Sequence, residues 1–139
     1  MRAQIEAAGL ASRIIVDSAG TGDWHIGEAP DARAQGAARQ RGYDLSALRG
    51  RQIGAADFER FDLLLAMDDA NLRELHLLCP PEHRHKVHRL MEFAAQAESR
   101  EIADPYFGGA QGFEQVLDQC ETACQDLLAV LSARLAAGN

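Results

Sequence analysis

The sequence predicts an α/β fold, a three-layer αβα sandwich with a parallel sheet at its centre. Three observations predict it: short apolar runs at 13–17, 61–67 and 86–91, stretches of helical spacing between them, and a long amphipathic segment near the C-terminal end. Strands that alternate with helices pair in parallel, and their crossovers turn right-handed. The 139 residues fit one domain, 1–139, long enough to bury a core without disulfides or a structural metal.

Taken in order, residues 2–11 are rich in Ala and Glu, turn Ile5, Ala8 and Leu10 inward, and meet a helix-ending Gly9. Arg13-Ile-Ile-Val-Asp17 is β-branched and too short for a helix, so it reads as a buried strand entering the glycine-rich loop Ser18-Ala-Gly-Thr-Gly22. Pro30 at a first-turn position, four alanines and a closing Gly42 mark a second helix. Phe61-Asp-Leu-Leu-Leu-Ala-Met67 is the strongest strand signal, apolar enough to be covered on both faces. Asp68 or Asp69 caps a third helix that Pro80-Pro81 must stop after Leu78. Lys86–Met91 alternates as a last strand, and 112–135 carries Phe113, Val116, Leu117, Cys120, Leu127, Leu128 and Leu131 along one helix face.

A formal net charge of −7 argues against attraction to nucleic acid or to an anionic membrane surface. No stretch reaches the roughly 20 apolar residues of a membrane-spanning helix, and the first residues lack the character of a signal or transit peptide, so a cytoplasmic protein is expected. Cys79, Cys120 and Cys124 read as reduced thiols; the last two share a helix face where burial explains them better than reactivity. His83, His85 and His88 are close in sequence but lack partners at zinc-site spacing, so no metal is expected.

Two strings can carry chemistry. Asp104-Pro-Tyr-Phe-Gly-Gly109 joins a carboxylate, a rigid proline and two aromatics. Such a loop can set a proton donor beside an aromatic wall, although a plain Asp-Pro turn uses the same residues. Ser18-Ala-Gly-Thr-Gly-Asp-Trp-His-Ile-Gly27 puts glycines after a strand and holds the single tryptophan, yet matches neither the Walker nor the dinucleotide pattern. Trp24 could contact a substrate or simply anchor its loop.

Read together, Val16-Asp-Ser-Ala-Gly-Thr-Gly-Asp-Trp-His25, Pro30-Asp-Ala-Arg33, Arg51-Gln-Ile53, Asp57-Phe58, Phe61-Asp62, Met67-Asp68, Asn71-Leu72 and the Asp104–Gly109 run resemble the low-molecular-weight protein-tyrosine phosphatases along the whole chain. The resemblance implies a four-stranded parallel sheet of order 2-1-3-4 and hydrolysis of phosphotyrosine through a cysteinyl-phosphate intermediate. It implies no cofactor. It assigns Asp104 as general acid, Trp24 and Tyr106 to the slot for the phenol ring, and Ser18 to support of the phosphate cradle. The implied partner is a tyrosine-phosphorylated protein, for instance a bacterial tyrosine kinase.

The chain departs from that pattern where the nucleophile should be. The family uses a thiolate in a Cys-x5-Arg loop, whose amides and arginine hold the phosphate oxygens. The sixth residues after Cys79, Cys120 and Cys124 are His85, Asp126 and Val130, so the motif is absent. The expectation is a chain without the family's first strand and phosphate loop, from a gene product that starts upstream. Such a chain would leave 13–17 without a neighbour and show negligible turnover. The alternatives are a catalytically dead, phosphatase-like binding or regulatory protein, and a relative of the arsenate reductases, which share the fold.

Overall fold

The computed structural model describes residues 1–95, 101–102 and 110–138. Helix α1, Arg2–Ala7, buries Ile5. It is shorter than the expected 2–11 because the Leu10 N–H turns back to the Ile5 carbonyl (3.0 Å), closing the end of the helix. Helix α2, Ala32–Gln40, is capped by Asp31, whose carboxylate accepts from the Arg33 N–H at 2.7 Å. Pro30 therefore stands before the cap and not inside the first turn. A short helix the pattern did not reveal, α3, spans Ala55–Arg60.

The sheet begins with β1, Leu64–Ala66, and crosses over through α4, Asp69–Leu78, which Asp68 caps by accepting from the Asn71 N–H at 2.7 Å. The two prolines end α4 as expected, Pro81–Lys86 forming a 3₁₀ turn that carries His83 and His85. Strand β2, Val87–Arg89, then lies parallel to β1, with Leu64 opposite Val87 and Ala66 opposite Arg89. After a second 3₁₀ turn at Leu90–Phe93, helix α5 runs from Ala110 to Gly138, longer at both ends than the expected 112–135.

Alternation along 63–66 creates the layers, because successive strand side chains point to opposite faces. Leu64 and Ala66 join Phe58, Leu75, Cys79 and Val87 in one buried cluster under α3 and α4. Leu63 and Leu65 pack on the other side against Leu90, Met91, Ile102, Ala123, Cys124 and Leu127 under α5. Burying both faces requires the unbroken apolar run 63–67 within the segment 61–67.

The expected strand at 13–17 is corrected by the structure. Among the described residues the sheet has two strands, and 13–17 joins no ladder, with Ile15 77% exposed. β-branched residues favour extended backbone, but a strand exists only where a neighbour takes its N–H and C=O groups. No described helix is long and apolar enough to cross a membrane.

Candidate functional site

In parallel α/β sheets, loops that follow the carboxyl ends of strands are where ligands are held. A loop outside the described ladder, 17–28, and the carboxyl end of β1 stand out here, and different forces anchor them.

The first is the stretch 17–28. Arg51 grips it from the side: its Nε lies 3.2 Å from Asp17, while Nη1 and Nη2 donate to both oxygens of Asp57 at 3.1 and 3.0 Å. Asp57 is the buried charged residue of the described chain, and its carboxylate also accepts from the Gly54 N–H at 2.8 Å, which starts α3. The Arg51 fork holds the Asp57 carboxyl below its ordinary range despite the opposing effect of burial. Ser18 follows directly, its N–H turned onto the Asp17 carboxylate at 2.8 Å.

Beyond Ser18 the loop is fastened at both ends to one segment. The Gly20 N–H donates to the Arg51 carbonyl (2.8 Å) and the Ile53 N–H to the Gly20 carbonyl (2.9 Å). At the far end, the Gly27 N–H donates to the Gly50 carbonyl and the Gly50 N–H to the Glu28 carbonyl, both at 2.8 Å. Residues 21–26 project between these ties and present Trp24, 69% exposed. Gly50 permits the closure, since a Cβ there would overlap the His25 carbonyl oxygen.

The second place is the carboxyl end of β1. Ile102, buried, donates its N–H to the Met67 carbonyl at 2.8 Å, and the Glu101 carboxylate accepts from the Asp69 N–H at 3.1 Å. Asp69 in turn pairs with Arg89 of β2 at 2.9 Å. Near the start of α5 the Arg33 guanidinium lies 5.1 Å over the buried Phe113 ring. Arg41 pairs with Glu114, Asp118 and Glu121. Asp104 and Tyr106 belong to the sequence between these anchors and lie outside the described residues.

The structure thus places Ser18 and Trp24 in one continuous anchored stretch. Glu101, Ile102 and Arg89 were missed by sequence reasoning, which had no local signal for them; Arg51 and Asp57 stood in the quoted motifs without a role. The thiols sit elsewhere. Cys79 closes α4 and Cys120 and Cys124 lie on α5. Burial pushes the Cys79 thiol up and raises Cys120 to about 11, away from the depressed values of reactive cysteines. Among the described residues no group of three His, Cys, Asp or Glu could hold a metal ion.

The family model described as Low molecular weight phosphotyrosine protein phosphatase matches residues 1–137. A Synechocystis sp. protein assigned as a low molecular weight protein-tyrosine-phosphatase is 43% identical over 97% of this chain and 86% of its own length. The low molecular weight protein-tyrosine-phosphatase of Streptomyces coelicolor is 40% identical over 94% of this chain and 80% of its own. The crystal structure of the protein tyrosine phosphatase of Entamoeba histolytica superposes with a TM-score of 0.90 at 34% identity, over 99% of this chain and 85% of that one.

Proposed function

From the premise that this chain belongs to the low molecular weight phosphotyrosine protein phosphatase family, we propose that residues 1–139 form one domain carrying the substrate slot and the acid of a phosphotyrosine phosphatase, without its nucleophile. In this reading Asp104 protonates the departing phenolate oxygen, Trp24 and Tyr106 flank the phenol ring, and Ser18 supports the phosphate cradle. The substrate is a tyrosine-phosphorylated protein, for instance a bacterial tyrosine kinase. Three free cysteines fit a reducing, cytoplasmic setting.

One observation carries the negative half of the proposal. No cysteine is followed six residues later by arginine, and the two thiols with shifted values are raised by burial. A proton donor without a thiolate and an anion cradle supplies neither the covalent intermediate nor the charge stabilisation on which the rate depends.

The test is hydrolysis of para-nitrophenyl phosphate at mildly acidic pH, comparing this chain with the same chain preceded by a family-type strand and Cys-x5-Arg loop. The 139-residue chain is expected to be slower by about 10⁶-fold, the scale seen when a nucleophile is removed. Comparable rates would show that a described thiol, or no thiol, performs the chemistry.

A further inference from the structure

Trp24 is the single tryptophan of the chain, and although mostly exposed its ring rests on a seat. A Cβ built on Gly22 would overlap the ring carbons Cε3, Cζ3 and Cη2. The benzo edge of the indole therefore occupies the space that any side chain at position 22 would fill. His25 meets the ring edge-on, with centroids 6.2 Å apart, and its Nδ1 pairs with Glu28 at 2.8 Å. The loop bearing all four residues is tied to 50–53 at both ends, so the seat is held by backbone hydrogen bonds and needs no core of its own.

We propose that Gly22 is a positioning residue: by vacating the space beneath the indole it fixes Trp24 as a pre-oriented platform on which a phenol-sized ring stacks. The inference rests on the reading of Trp24 as a slot residue and deepens it. A stacking aromatic that is already in place does not lose side-chain freedom when the ligand arrives, which raises affinity without any added contact. The obstructing atoms at Gly22 are the far end of an exposed, rotatable side chain. A methyl group there costs the fold little, yet it cannot coexist with the ring in its present position.

The sole tryptophan makes this separable from folding. Gly22→Ala and a control, Gly36→Ala, would be compared with the parent chain by the indole bands of near-ultraviolet circular dichroism and by melting temperature. Trp24 fluorescence, excited at 295 nm, would follow titration with para-cresol, a phenol ring that needs no phosphate cradle, and inorganic phosphate would serve as the ringless probe. Gly36 lies in α2 with nothing near its missing side chain. Gly22→Ala is expected to keep the melting temperature, lose most of the indole band and weaken para-cresol binding about two- to tenfold, the range of one aromatic contact. Gly36→Ala should leave the band and the titration unchanged. An unaltered band in Gly22→Ala overturns the seat. A parent chain whose Trp24 ignores para-cresol, while the band still changes in the variant, overturns the slot reading and leaves the seat standing.

Discussion

The layer built on β1 and β2 and the loop stretch 13–28 are stabilised in opposite ways. Around β1 the side chains do the work: Phe58 is fully buried, and Leu64, Ala66, Leu75 and Val87 close over it. In 13–28 most side chains face water, with Ile15 and Trp24 both more than two-thirds exposed. What fixes that stretch is a set of backbone hydrogen bonds to residues 50–53 and the two-sided grip of Arg51. Burial is tolerant of small shifts and scales with area, whereas a hydrogen-bonded closure depends on a few donors being in register. One region should fail gradually and globally, the other locally and at single points.

Breaking the core gives the largest effect. Phe58→Ala should cost about 3–5 kcal/mol, since the ring leaves a cavity its neighbours cannot refill, and urea unfolding followed by far-ultraviolet circular dichroism should shift as one transition. Next in size, Gly50→Ala forces a methyl group against the His25 carbonyl and should cost about 2 kcal/mol, within the range for overpacking. Its mark is local. Amide exchange at Gly20 and Gly27 should accelerate more than at Leu65 or Val87; uniform acceleration would erase the distinction between the regions.

The smallest change sharpens the comparison through pH. Arg51→Met removes both donors to Asp57 and should cost about 1 kcal/mol at neutral pH, a charged hydrogen-bond value discounted for the partial exposure of Arg51. The Asp57 carboxyl is held below its ordinary 3.8, so its contribution is fully present above that pH and disappears as pH falls through the lower folded value. The stability gap between parent and Arg51→Met should therefore close under acid. A gap that stays constant from neutral pH to pH 3 would mean that Arg51 acts by packing alone.

How far the sequence could be read depends on whether the information is local. The strands within 61–67 and 86–91, each shorter than its run, and the helix after Asp68 were legible because apolar runs, a capping carboxylate and a proline pair are written in adjacent residues. Helix α3 was not, since its six residues hold under two turns and its cap depends on Asp57 folding back to Gly54 while also binding Arg51. The strand expected at 13–17 misled for a related reason. Its composition states what the backbone prefers and is silent about which neighbour pairs with it. At the candidate site the motif residues Ser18 and Trp24 were visible, but the seat on Gly22 and the anchoring of Ile102 to Met67 arise only when distant segments meet.

The acidic residues that face Arg41 have one further consequence. Glu114, Asp118 and Glu121 recur three and four positions apart on α5, so without a partner they repel one another and weaken the helix that bears them. The guanidinium of Arg41, just past the end of α2 and some 70 to 80 positions earlier in the chain, converts that self-repulsion into an attachment. At neutral pH the final helix is thus more stable docked on the end of α2 than with its acidic row unpartnered.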